Sequence, residues 1–227
     1  MAIARKRFGQ NFLVDGQIIE RIIRAIDPGT GDQVLEIGPG QGALTGPLVA
    51  SGCKLQLVEI DRDLADLLAS RYPDTPLVRE DVLKADLTQL LKAGNCRVVG
   101  NLPYNISTPL LFRLFEQASR IRDMHFMLQL EVVDRMTAQP DTKAYGRLSI
   151  MTQLFCEPEK LFEVPPEAFS PRPKVHSAII RLTPRTDSLA RLTDTEVLDR
   201  LLVQAFSARR KTVRNAFRGL LTEAQDR

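Results

Sequence analysis

The chain has little of what organises small disulfide-rich or metal-built proteins. Its three cysteines, Cys53, Cys96 and Cys156, lie 43 and 60 residues apart, with no C-x-x-C pair and no paired histidines nearby. Neither a disulfide framework nor a zinc site is indicated. The two histidines, His125 and His176, sit in or beside strand-like runs, which assigns them packed or surface positions rather than catalytic ones. No apolar run approaches the roughly 18 residues needed to span a bilayer. The N-terminal stretch "MAIARKRFGQNFLVDG" has basic residues but no uninterrupted apolar segment behind them, so a cytoplasmic protein without a membrane partner is expected. Internal repeats and low-complexity tracts are absent as well.

What is present suits a soluble enzyme-sized chain. With 227 residues, 44% of them hydrophobic and 26% charged, there is enough material for one sizeable core and a small appendage. The net charge is only +3, but from Pro171 onward 12 Lys+Arg face 6 Asp+Glu, leaving the rest slightly acidic. That asymmetry suits a polyanionic partner, and equally an ordinary solvated helix face.

Periodicity supplies the architecture. "DGQIIERIIRAI" repeats isoleucine at positions 18, 19, 22, 23 and 26, the spacing of one helical face. Strand-like runs follow in "QVLEIG", "LQLVEI", "PLVRE", "RVVGN", "HFMLQL" and "SAIIRL", most of them separated by helical stretches such as "RDLADLLASR" and "TPLLFRLFEQA". Such alternation predicts an α/β fold with a mainly parallel sheet covered on both faces. The segment "FEVPPEAFSPRPKVHS", with prolines at 165, 166, 171 and 173, reads as an ordered loop before the last strand. The pattern then turns purely helical, which places a boundary near Thr186 between a larger domain, 1–185, and a smaller helical one, 186–227.

Two motifs carry chemistry. In "VLEIGPGQGALT", Gly38, Gly40 and Gly42 stand where the first strand turns into a helix, allowing the backbone to approach a ligand closely. Glu59 ends the next strand in "LVEID", 17 residues after Gly42, where a carboxylate can accept from both ribose hydroxyls, and Asp81 follows a third strand. The G-x-G-x-G spacing departs from the dinucleotide fingerprint and no second nucleotide half is evident, which favours S-adenosyl-L-methionine over NAD.

The second motif is "VVGNLPYNIS". A planar amine such as adenine N6 is a weak nucleophile because its lone pair is delocalised, so it must be held and polarised. The Asn101 side-chain oxygen and the Leu102 carbonyl can accept its two N–H groups, Pro103 fixes the local backbone, and Tyr104 offers a stacking face. The plainer reading is an Asx-turn closing a strand with a tyrosine packed behind it. A glycine loop and a ribose-type acid upstream favour the chemical one.

In order along the chain, "RFGQNFL", "EIGPGQGALT", "VEID", "NLPYNIS", "MHFMLQ", "AYGRLS" and "FSPRPKVHS" resemble the KsgA-type small-subunit ribosomal RNA adenine dimethyltransferases. The resemblance runs from residue 5 to about 218. It implies a Rossmann-like class I methyltransferase fold using S-adenosyl-L-methionine, with 16S ribosomal RNA in an immature small subunit as substrate and no obligate protein partner. It implies further that Asn11 and Leu13 line the donor pocket with Gly38 and Gly40, that Glu59 holds the ribose and Asp81 the donor's adenine. Asn101 would then stand between donor and target, and the target base would lie between Tyr104 and Phe169. A phenylalanine in a proline-rich loop is more often a plug over the core; the resemblance is what points to stacking.

Leu130 stands where relatives commonly carry lysine, and relatives continue beyond "RRKTVRNAFRGLL", which implies a shortened helical domain here. Arg210, Arg214 and Arg218 recur every four residues, predicting one basic helical face with Phe206 and Val213 turned to the core. With Arg5, Lys6 and Arg7 they are the expected phosphate contacts. Rival readings are methylation of one adenine in large-subunit RNA, with Leu102 in place of the usual isoleucine as the adverse feature, and DNA adenine methylation, opposed by Asn101 where Asp is often found. The non-enzymatic alternative is an assembly factor that binds the immature small subunit and uses methylation only to time its departure.

Overall fold

The computed structural model describes residues 11–103, 106–185, 195–207 and 211–217. Helix α1 (Gly16–Ile26) begins at Asp15, whose carboxylate accepts from the backbone N–H groups of Gln17 at 2.9 Å and Ile18 at 3.2 Å. Those bonds satisfy two donors that helix geometry leaves open. Ile18, Ile22 and Ile26 form its buried stripe, each contributing about 1.5–3 kcal/mol on leaving water. Asp27, at φ 49°, ends the helix by donating its N–H to the Ile23 carbonyl.

Seven strands make the main sheet: β2 (Gln33–Ile37), β3 (Lys54–Val58), β4 (Leu77–Val78), β5 (Cys96–Asn101), β6 (Ile121–Gln129), β7 (Cys156–Val164) and β9 (Ser177–Pro184), in the spatial order β4-β3-β2-β5-β6-β9-β7. The β2–β3, β2–β5, β3–β4 and β5–β6 pairs are parallel, and β9 runs antiparallel to both β6 and β7. A second ladder joins β1 (Phe12–Leu13) to β8 (Phe169–Ser170). Apolar cores cover both faces. One packs Leu35, Val98, Phe126 and Ile180 beneath helices α4 (Leu87–Leu90), α5 (Ser107–Phe115), α6 (Leu130–Met136) and α7 (Arg147–Phe155). The other packs Val34, Leu57, Val99 and Ile179 beneath α1, α2 (Thr45–Ala50) and α3 (Arg62–Arg71). Burial on both sides is why these strands read as near-continuous apolar runs.

Strand order reverses between β2 and β5, which opens a crevice at their carboxyl ends. The two strands approach so closely there that a Cβ at Gly100 would stand 2.5 Å from the Ile37 carbonyl oxygen. At the opposite, amino end, Arg97 donates twice to Asp123 (Nε to Oδ1 and Nη2 to Oδ2, both 3.0 Å), to the Asp27 carbonyl at 3.0 Å and to Asp32 at 3.1 Å, while Arg122 also reaches Asp32 at 3.1 Å.

Two expectations change, and one strand is new. The proline-rich segment is not a loop throughout: β7 extends to Val164, and β8 occupies Phe169–Ser170. Strand β7, "CEPEKLFEV", went unread because it is an edge strand, which needs only one partner and so tolerates Pro158 and a row of charges. A register shift between Lys160 and Phe162 also breaks its alternation. The single basic helix is not formed either. Helix α8 is described over Thr195–Ser207, residues 211 and 212 are not helical, and Arg214 stands on a separate short helix, α9 (Val213–Ala216). Gln204 Nε2 holds α9 against α8 by donating to the Ala216 carbonyl at 2.9 Å.

Helix α8 does not stand apart from the main core. Leu202 is buried in it, Arg147 of α7 pairs with Asp199, and Phe206 meets the Tyr145 ring edge-on at 6.4 Å. The boundary expected near Thr186 lies outside the described residues, as do Arg5, Lys6, Arg7, Tyr104, Arg210 and Arg218; Val213's side chain is likewise not described.

Candidate active site

A cavity of about 270 Å³ fills the crevice at the β2–β5 switch point. Its walls come from β1 (Phe12, Leu13), preceded by Asn11, from the turn after β2, from the end of β3 (Glu59), from Asp81 and Val82 after β4, and from Asn101, Leu102 and Pro103 at the end of β5. The structure therefore brings Asn11, Leu13, Gly38, Gly40, Glu59, Asp81, Asn101, Leu102 and Pro103 around one space.

The glycine turn holds its shape through backbone conformation and a carboxylate. Gly38 and Gly40 adopt φ of 64° and 59°, which side-chain-bearing residues rarely take, and a Cβ on Gly40 would meet the Phe12 ring at 3.2 Å. The Gly40 N–H donates to Glu59 Oε2 at 3.1 Å, the Asp61 N–H donates to Glu59 Oε1 at 2.9 Å, and Arg71 of α3 donates to the Gln41 carbonyl at 2.9 Å. Burial pushes the Glu59 carboxyl up, and these two N–H bonds pull partly against that shift. Each Glu59 oxygen keeps a further lone pair, the capacity needed for two ribose hydroxyls.

Asp81 accepts from the Leu83 N–H at 3.0 Å and sits half-buried at the cavity wall. Arg113 of α5 fixes the same turn by donating to the carbonyls of Val82 at 2.7 Å and Ala85 at 2.9 Å. The helix after the β5 motif is thus tied to the wall facing it. Asn101 Nδ2 donates to the Asn11 carbonyl at 3.1 Å, which orients the amide and leaves Oδ1 as an acceptor. The N–H of Leu102 donates to the Met127 carbonyl at 3.3 Å, so β6 helps hold the motif.

Phe169 is placed differently. It pairs with Leu13 across the β1–β8 ladder, lies with it in the α1-side core at 5% exposure, and stands behind the cavity wall rather than in it.

Sequence reasoning missed Glu36 and Thr45. The Glu36 carboxyl, 1% exposed, lines the cavity and accepts from the Thr45 hydroxyl at 2.7 Å. Burial first, aided by the charge of Glu59 and opposed by the Thr45 bond, pushes it up to about 8. The signal was available: a carboxylate inside a strand buried on both faces is costly unless it has a task.

The strand order and the crevice define the first level of identity, a class I S-adenosylmethionine-dependent methyltransferase fold. The crystal structure of a dimethyladenosine transferase from Plasmodium falciparum superposes with a TM-score of 0.81 at 31% identity, covering 92% of this chain and 75% of that one. The 23S rRNA methyltransferase ErmE gives 0.73 at 28% identity, covering 94% and 86%. The sequence profile of the ribosomal RNA adenine dimethylase family matches residues 1–227, and the chain belongs to that family. Ribosomal RNA small subunit methyltransferase A of Acinetobacter baylyi is 54% identical over 224 residues, 97% of this chain and 82% of the relative.

Proposed function

We propose that this protein transfers methyl groups from S-adenosyl-L-methionine to N6 of two adjacent adenosines, two per base, near the 3′ end of 16S ribosomal RNA. Its substrate is the RNA within an immature small subunit, and no obligate protein partner is inferred. The donor supplies an electrophilic methyl group on a sulfonium, and the cavity suits it: a ribose acceptor at Glu59, an adenine partner at Asp81, and a close-approach turn at Gly38 and Gly40.

The observation that carries the reading is Asn101. With Nδ2 committed to the Asn11 carbonyl, Oδ1 accepts one N–H of the target amine, and the Leu102 carbonyl accepts the other. Both bonds return electron density to N6 as it attacks the methyl carbon. The proton is lost only after transfer, when the nitrogen has become acidic, so no strong base is required. Tyr104 and Phe169 are assigned to the faces of the extruded base; Phe169, 5% exposed behind the cavity wall, has to be uncovered as the base enters. Arg214, with Arg5, Lys6, Arg7, Arg210 and Arg218, is assigned to phosphates.

Likeness to a large-subunit enzyme at 28% identity keeps a second substrate in view. The test is incubation with donor and either unmethylated small subunits or large-subunit RNA, followed by nucleoside mass spectrometry. Dimethyladenosine from the small subunit alone is expected. Product from large-subunit RNA alone would overturn the substrate, and donor binding without product on either RNA would overturn the reaction.

A further inference from the structure

The charged side chains that line the donor cavity are acids, set beside the neutral amides of Asn11, Gln41 and Asn101. Among the described residues Glu36, Glu59, Glu80 and Asp81 line it, and no lysine, arginine or histidine does. The four are not equivalent. Glu80 is exposed and Asp81 half-buried, so water screens both. Glu59 is compensated by the N–H groups of Gly40 and Asp61. Glu36 is buried, and its compensation comes from the hydroxyl of Thr45, a neutral donor.

Apart from Thr45, the described groups around Glu36 bring it no positive charge. Glu59, at the end of the neighbouring β3, repels it, and Cys53 ahead of that strand is a thiol pushed up chiefly by burial, with the charges of Asp32 and Glu36 adding to the rise. On β5, Val99 lies opposite Glu36, and Arg97 farther down the same face is committed to Asp123 and Asp32. Helix α1 presents isoleucines to this side of the sheet. A carboxyl pushed up to about 8 in such surroundings holds its proton at neutral pH.

We propose that Glu36 is the proton-linked counter-charge of the donor site: it is protonated in the empty cavity and ionises as the cationic donor enters. This rests on the S-adenosylmethionine reading above. The donor brings a sulfonium and an ammonium against one carboxylate, a net positive charge in a cavity of low polarity. On its arrival the O–H bond of the Glu36 carboxyl breaks, the electron pair stays on the carboxylate, and the proton passes to the buffer. Thr45 continues to donate to the carboxylate. Glu36 is thereby a specificity-determining residue that favours cationic ligands, with an affinity that rises with pH.

The experiment is titration calorimetry of the full chain with S-adenosylmethionine at pH 6 to 7.5, in pairs of buffers of different ionisation enthalpy. The wild type is expected to release close to one proton per donor at pH 7, and its affinity to rise by about tenfold per pH unit across that range. Glu36→Gln, close in shape to the protonated acid, is expected to release none and to lose the slope. Thr45→Val is expected to keep the proton release but bind more weakly at pH 7. Thermal melts provide a second readout. The folded state retains a proton that the unfolded chain gives up near its ordinary carboxylate pKa, so wild-type stability is expected to fall as pH rises from about 4.5 to 8. Glu36→Gln should flatten that slope, leaving only the part that the raised Glu59 carboxyl contributes. Donor binding without proton release, or equal release in Glu36→Gln, would overturn the proposal alone. Failure to bind donor at any pH would overturn the methyltransferase reading with it.

Discussion

The two ends of the sheet handle buried charge in opposite ways. At the amino ends of β2 and β6, Asp32 and Asp123 lie below the usual carboxylate range. Burial alone would raise them, but the Gly29 N–H and Arg97 outweigh it at Asp32, and His125 and Arg97 outweigh it at Asp123. At the carboxyl ends of β2 and β3, Glu36 and Glu59 are both raised, because the same burial meets only neutral donors. One end is neutralised from within the protein and contributes rigidity. The other is left for a ligand to complete.

The largest effect should come from breaking the neutralised end. Arg97→Met leaves Asp123 buried without its bidentate partner, and a loss of about 3–5 kcal/mol is expected in urea unfolding. Donor affinity of the folded protein should stay near wild type. At the open end, Asn101→Ala is expected to lower the transfer rate by about a hundredfold or more, with a smaller change in donor affinity, read by single-turnover kinetics. Glu59→Gln should weaken donor binding by about tenfold, since the amide can no longer accept through both atoms, and calorimetry would measure it. Unchanged affinity would remove the ribose assignment.

Phe169→Leu sharpens the contrast between wall and core. The substitution keeps apolar volume at the β1–β8 ladder but removes the ring face, so a severalfold drop in turnover with donor affinity kept is expected. Equal activity would return Phe169 to a plug over the core. The smallest effect is expected at Arg214→Ala, which should weaken RNA binding modestly and reduce the magnitude of the salt slope by about one.

Legibility from sequence followed burial. Strands apolar on both faces, such as "QVLEI" and "RVVG", and the isoleucine stripe of α1 announced themselves, because a buried surface leaves a periodic signature. The glycine turn, Glu59 and Asn101 were legible because each ends a strand where a site belongs. What escaped depended on partners distant in sequence. The two-residue strands at Phe12 and Phe169 exist only because they meet, and β7 is a strand only because β9 offers an edge. The arginine repeat suggested a continuous helix that the chain interrupts at Lys211 and Thr212, and the Thr212 hydroxyl accepts from the Asn215 N–H at 3.4 Å as α9 begins.

Gly100 has a consequence for the kinds of variation the gene can carry. Every codon one base away from a glycine codon that still encodes a different amino acid adds a Cβ, and at this position that atom falls 2.5 Å from the main-chain oxygen of Ile37, a residue of the central strand β2. The obstruction lies between the strand carrying Asn101 and the one leading into the glycine turn, so the damage would reach both halves of the site at once. A saturation library of this protein should therefore show an empty column at residue 100, beside positions such as Val203, 48% exposed, where many letters are tolerated.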